Sequence, residues 1–314
     1  MDQQLFTKLL FCFLTIFKLC IAAQSDHTLS PNQTLVDGQL LISSSKIFEL
    51  GFSSPANNTR RFLVIRYRNT PDVFVWLANR ETPLTGRQGR LTLTNNGSLI
   101  LTSPHLTTTL WIPSSDATVS SPTLQLLDSG NLVLTGDKQG TYLWQSFDYP
   151  CNTRLPGMTM TVDRAKYLTS WRSSNDPFPG EYSYGISNEG LSQIVVAKGK
   201  KKTYRTVFWN NEFVGFPNLG ERAWMTEATS RKGRLVSVTN PIDDPGITRI
   251  TLNPGGMVER FMMNERRDGW TSMLASPRDS CEVYGKCGGN GICKVYMTPI
   301  CECLKGFRPR AETE

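Results

Sequence analysis

The sequence has only two histidines, His27 and His105, and neither belongs to a nucleophile or metal-ligand arrangement. The glycine-rich phosphate loop and the V-A-I-K, H-R-D and D-F-G motifs of protein kinases are missing, so these residues carry no kinase chemistry. No cofactor and no metal are expected. Helical periodicity of useful length is absent. Beyond the N-terminus no run of about 18 consecutive apolar residues occurs, which excludes a second membrane anchor within this sequence. Charge of one sign is scarce too: the net +7 is spread thinly, which argues against a nucleic-acid partner.

What is present is ordinary for a folded chain, with 39% hydrophobic and 19% charged residues in 314. That length suggests about two domains. The N-terminus sets the compartment. Lys8 precedes the apolar run "LLFCFLTIF", and small residues follow at Cys20, Ala22 and Ala23. A basic start, a short apolar stretch and a small-residue exit read as a secretory signal peptide over residues 1–22. Lys18 interrupts the apolar stretch and disfavours a spanning helix. The mature chain is therefore expected outside the cell. Sequons at Asn32, Asn57 and Asn96 are candidate N-glycosylation sites there.

Residues 24–148 read as short strands. "FLVIRY", "VFVWLA", "RLTLT", "SLILT" and "NLVLT" are separated by Asn-Gly, Ser-Gly and proline turns. Two passages echo each other: "LTLTNNGSLIL" from Leu91 and "LQLLDSGNLVL" from Leu124. They stand 33 positions apart, as do Trp111 and Trp144, and Trp76 precedes Trp111 by 35. One hairpin unit cannot bury its apolar face alone, so a repeat at this period predicts several units packed together. We expect three small antiparallel sheets about a shared axis, burying Trp76, Trp111 and Trp144 in one core. Residues 149–276 continue with strand-like runs in which the 33-residue step is not evident. Its basic run, Lys198, Lys200, Lys201, Lys202 and Arg205, falls between two such runs and reads as a solvated hairpin tip. Binding of acidic wall polysaccharide is the alternative for that run. Residues 277–314 exchange hydrophobic strands for cysteine and glycine, with the spacing C-x5-C-x5-C-x7-C-x-C from Cys281 to Cys303. In a secreted chain this reads as a disulfide framework.

Six passages in order, "PNQTLVDGQLLISSSKIFELGF", "VWLANRETPL", "LLDSGNLVL", "LWQSFDYPCNTRLPGM", "SWRSSNDPFPGEYSY" and "CEVYGKCGGNGIC…CECLKGF", cover essentially the whole mature chain. Together they resemble the extracellular half of plant S-locus glycoproteins and G-type lectin S-receptor-like kinases. The resemblance implies an all-β architecture: a bulb-lectin-like β-prism at 24–148, a second β-rich S-locus domain at 149–276 and a partial EGF-like module at 277–314. PAN, transmembrane and kinase parts usually follow in that family. It also implies the pairs Cys281–Cys293 and Cys287–Cys301. Cys303 and Cys151 stay unassigned: either they pair with each other, or the partner of Cys303 lies beyond Glu314, the reading the family pattern favours.

Bulb-type lectins read mannose through Q-x-D-x-N-x-V-x-Y, whose polar side chains match adjacent sugar hydroxyls. Here Asp128 and Asn131 stand three apart rather than two, Gln125 is out of register and the tyrosine is missing. Asp128 and Asn131 remain the carbohydrate-binding candidates, although a hairpin turn explains them better. The function implied is extracellular recognition of a peptide, protein or glycan, with pollen recognition one setting. A receptor-like kinase or a second copy of the chain would be the partner. The competing readings are a secreted decoy or co-receptor, a fragment of a plasma-membrane receptor kinase, and a true mannose lectin.

Overall fold

The computed structural model describes residues 27–55, 59–112, 119–137, 140–190, 192–206 and 246–309, and the backbones of strands Glu227–Arg231 and Arg234–Thr239. The signal-peptide reading and the Asn57 sequon fall outside these residues. Among the described residues there is no α-helix, only strands and two single-turn 3-10 segments, Ser146–Asp148 and Arg164–Lys166.

Three antiparallel sheets build the first domain. One orders Thr28–Leu29, Thr123–Leu126, Leu132–Thr135 and Tyr142–Gln145. The second orders Leu106–Trp111, Leu99–Ser103, Arg90–Leu93 and Thr34–Val36. The third orders Leu40–Ile42, Phe48–Ser53, Arg60–Tyr67 and Phe74–Leu77. The N-terminal strand closes the sheet made by the last three strands, so the two ends of the domain are hydrogen-bonded together. Leucines alternate inward from the repeated hairpins: Leu91, Leu93, Leu99, Leu101, Leu124, Leu126, Leu132 and Leu134 are all fully buried. That alternation is what a sheet with one wet face requires.

The third sheet differs. "FLVIRY" and "FVWL" are apolar without a break, and Phe62, Leu63, Val64, Ile65 and Phe74 through Leu77 are all buried. A strand reads this way when both of its faces are covered. Cys151, Leu155, Met158 and Trp171, from the chain that follows the prism strands, join the same core cluster.

The repeated hairpin is one turn used again. Thr94 and Ser98, and Leu127 and Asn131, exchange the same bonds: the first N–H donates to the fifth carbonyl at 2.9 Å, and the fourth N–H returns to the first carbonyl at 3.0 Å. Gly97 and Gly130 occupy the fourth position at φ 86° and 81°, a conformation glycine adopts without penalty. The second domain uses the same turn at Asn253–Met257, with Gly256 at φ 82°. Leu252 and Val258 flank this turn as leucines flank the others, but Ile250 and Arg260 stand where the prism hairpins have their outer leucines, so the echo is not legible in the sequence. Four-stranded sheets at 153–276 and 168–205 and a three-stranded sheet build this domain around Leu168, Tyr184, Ile186, Val196 and Leu252.

One expectation changes. Trp76 and Trp144 meet edge to face with centroids 5.9 Å apart, but Trp111 is half-buried at the rim. It ends an edge strand whose register breaks between Thr109 and Trp111, and it packs against the core cluster from that edge. Trp76 and Trp144 therefore lie within the core, and Trp111 contributes from its margin.

The C-terminal module is a two-stranded ribbon, Gly291–Cys293 with Cys301–Cys303. Cys281–Cys293 and Cys287–Cys301 are bonded, each with Cα atoms 5.4 Å apart. Tyr296 is 99% exposed and Met297 and Phe307 are more than half exposed, so burial holds little of this ribbon together and the crosslinks must. Cys151 and Cys303 are both unbonded. Cys151 is buried against the first domain, its thiol 3.3 Å from the Leu77 amide, and burial raises its pKa.

Candidate functional site

Asp128 and Asn131 flank the tip of the Leu127–Asn131 turn, and the structure places them differently. Asp128 is exposed, and its carboxylate accepts the Ser45 backbone N–H at 2.6 Å, tying two hairpins together. Asn131 is buried. Its Nδ2 donates to Gln145 Oε1 at 2.9 Å, and its Oδ1 accepts from the Ser146 hydroxyl and the Phe147 N–H, both at 3.2 Å. The Asn131 amide thus organises the 3-10 turn rather than facing a ligand. Replacing Asn131 by alanine orphans these buried groups and should cost about 2 kcal/mol in urea denaturation. A loss under about 0.5 kcal/mol, the level of an inert surface change, would contradict this structural role.

The basic run is a hairpin tip, with Lys198 opposite Lys201 across Gly199 and Lys200. Two of its charges are already met: Lys198 pairs with Glu181 at 3.0 Å and Lys202 with Glu189 at 3.4 Å. Arg205 lies over the Tyr284 ring at 5.4 Å, where the C-terminal module docks, and the Tyr284 N–H donates to Thr203 O at 2.8 Å.

An open concavity lies elsewhere among the described residues. A groove of about 620 Å³ sits at one end of the second prism sheet, lined by Asp37, Arg87, Gln88, Arg90, Thr102 and Ser103. The sheet places these residues because Val36, Arg90 and Thr102 are adjacent in register, at the positions alternating with inward-facing leucines. Sequence reasoning passed over the groove, since no motif spans its three separate segments. Asp37 is not available to a ligand: Arg61 clamps it with two N–H groups, Nε to Oδ2 at 2.9 Å and the second to Oδ1. Asn32 and Asn96 are exposed at the other end of the same sheet.

Arg80, which sequence reading met only inside a family passage, Trp76, read there as core, and Trp270 and Arg249, which it did not single out, form the seam between the prism sheets and the sheets that follow. Arg80 of "VWLANR" is buried, and its guanidinium donates to Thr169 O at 3.0 Å, to Phe178 O at 3.5 Å, and to the carbonyls of Pro177 and Ser170. Burial lowers its pKa, opposed by Cys151 and Glu81. Trp76 Nε1 donates to Tyr149 O at 2.9 Å, and Trp270 Nε1 donates to Thr70 Oγ1 at 3.0 Å. Arg249 lies over the Trp270 ring at 4.6 Å, and that ring meets Tyr67 edge-on. The seam is built from desolvated hydrogen bonds and aromatic contacts, so it holds the two sheet systems as one platform for the groove.

These features define a class: a sheet-built, two-domain lectin-like module with a polar surface groove. The family model for the D-mannose binding lectin matches residues 73–172, and that for the S-locus glycoprotein domain matches residues 204–311. The S-locus-specific glycoprotein S6 of Brassica oleracea is 33% identical, over 95% of this chain and 72% of its own length. The receptor-like serine/threonine-protein kinase SD1-8 of Arabidopsis thaliana is 32% identical, over 92% of this chain but 35% of its own length. The chain belongs to the family of S-locus glycoproteins and G-type lectin S-receptor-like kinases. It spans little more than a third of the length of the receptor kinases it matches, and neither matched domain is a kinase domain. Among solved structures, a monomeric mannose-binding lectin from Gastrodia elata is 16% identical at TM-score 0.29, over 38% of this chain and 95% of its own. A two-domain lectin from Scilla campanulata is 17% identical at TM-score 0.26, over 81% of this chain and 85% of its own.

Proposed function

We propose that this chain is the non-catalytic, extracellular recognition module of a plant S-domain receptor, and that it binds its ligand through the groove at Arg87, Gln88, Arg90, Thr102 and Ser103. It acts as a secreted protein, or at the plasma membrane where a longer chain carries it. The domain division at residues 148 and 276 belongs to this reading, as does pairing with a receptor-like kinase or a second copy. Pollen recognition is one setting in which the same groove would work.

The observation that carries the reading is the contrast between the two candidate surfaces. The Asp128–Asn131 hairpin spends its polar groups on the fold, whereas the groove presents side-chain donors to solvent. Recognition surfaces on rigid sheets are built this way, from loop and strand-end side chains held by a packed scaffold. The test is an array of glycans and secreted plant peptides probed with the secreted chain. Binding should disappear when Thr102→Arg fills the groove and persist in Asp128→Asn. Mannose binding that vanishes with Asp128→Asn and survives Thr102→Arg would return recognition to the hairpin and defeat the groove reading.

A further inference from the structure

We infer that the groove takes a carboxylate-bearing saccharide, an oligomer of uronic acid. This rests on the reading that the groove is the recognition site, and it names the ligand chemistry. Arg87 and Arg90 both line the groove and are exposed, and neither has an ion pair among the described residues. The only acid in the lining is Asp37, already held by Arg61. The groove therefore carries two uncompensated guanidinium groups. A guanidinium fork matches a carboxylate with two parallel hydrogen bonds, which a lysine ammonium cannot do.

The rest of the lining suits a sugar. The hydroxyls of Thr102 and Ser103 and the amide of Gln88 each donate and accept, as the ring hydroxyls of a saccharide demand. Val36 and Pro104 supply the only apolar side chains, too few to anchor a peptide by a buried side chain. The volume, about 620 Å³, falls in the usual range for a small-ligand site. The sequons at Asn32 and Asn96 lie at the opposite end of the sheet, so neither attachment point is in the groove. Asn32 donates to Leu93 O and Asn96 lies in the turn after Thr94, whereas the groove begins at Arg90. Four residues of strand separate them, about 13 Å. The rival anion site, the lysine hairpin, has two of its charges neutralised by Glu181 and Glu189.

The experiment uses the full secreted chain and isothermal titration calorimetry at about 50 mM salt, where exposed charge is weakly screened. The probes are trigalacturonic acid, its methyl ester, mannotriose and a hexaglutamate peptide. Trigalacturonate should bind, with affinity falling about tenfold or more in Arg87→Gln/Arg90→Gln and partly restored in Arg87→Lys/Arg90→Lys. Lys200→Gln/Lys201→Gln should leave it unchanged. The methyl ester should bind about tenfold more weakly than the acid. Methyl ester or mannotriose binding as tightly as the acid, and lost on Thr102→Arg, would overturn the carboxylate inference and leave the groove as the recognition site. Hexaglutamate binding as tightly as the uronate would overturn it in favour of an acidic peptide. Uronate binding that survives Arg87→Gln/Arg90→Gln and fails in Lys200→Gln/Lys201→Gln would defeat both the inference and the groove. Failure of trigalacturonate to bind at all would end the inference alone.

Discussion

Replacing Arg80 by alanine should destabilise the chain by about 4 kcal/mol, because it strands several buried carbonyls at once and each orphan costs about 1–3 kcal/mol. The acceptors belong to Thr169, Ser170, Pro177 and Phe178, in the ribbon of strands Leu168–Ser173 and Asp176–Ser187, while Arg80 follows strand Phe74–Leu77 of the prism. Part of the loss is offset, since the unfolded variant no longer has a cation to desolvate on folding. The consequence reaches past stability. With the cage gone, the two sheet systems lose the bonds that make them melt together. Calorimetry should show one transition for the native chain and two for Arg80→Ala, the first domain surviving longer because its leucine core is untouched. Arg80→Lys should recover only part of the loss, since three rotatable donors on one nitrogen do not reproduce the planar fork. A single unshifted transition in Arg80→Ala would mean that the seam is held elsewhere, by Trp76, Trp270 and the Cys151 contact.

Gly180→Ala should cost about 3 kcal/mol, the upper range for forcing atoms into a packed site. A β-carbon at Gly180 would overlap the Trp171 carbonyl oxygen and the Ser170 hydroxyl. Backbone cannot swing aside as a side chain can. The register between Leu168–Ser173 and Asp176–Ser187 breaks on both sides of the Trp171–Pro179 pair, and only glycine permits the strands to approach so closely there. The same ribbon presents the Ser170 and Pro177 carbonyls to Arg80. The two substitutions therefore act on one structure, and the double variant should lose less than the sum of the singles. Gly199→Ala is the control: nothing lies within 4 Å of its β-carbon, and only its φ of 57° is strained. It should cost about 1 kcal/mol. Equal losses at Gly180 and Gly199 would show that the close approach carries no weight.

Much of the prism was legible because its signals are local. The leucines of "LTLTNNGSLIL" and "LQLLDSGNLVL" alternate at the strand period, and their turns carry glycine where φ must be positive. The apolar runs at residues 62–65 and 74–77 were legible as strands, but that both of their faces are buried emerged only from the packing. The candidate site was poorly legible. Asp128 and Asn131 look like sugar ligands because their residue types suit hydroxyls, and the same property lets them satisfy backbone N–H groups and a neighbouring glutamine. The broken register of the motif favoured the turn, but the partners of Asn131 are not visible in the order of residues. The groove left no trace at all, since Asp37, Arg90 and Thr102 become neighbours only through strand pairing.

Residue order by itself determined the strands, their inward faces, the turns and the family, because alternation, glycine placement and shared passages are properties of nearby positions. Tertiary structure decided that Arg80 is a clasp, that Trp111 sits at the margin of the core and that two arginines share a groove. Those outcomes depend on how segments far apart in the chain meet, and for Arg90 and Thr102 a register shift of one residue would send the side chain to the opposite face.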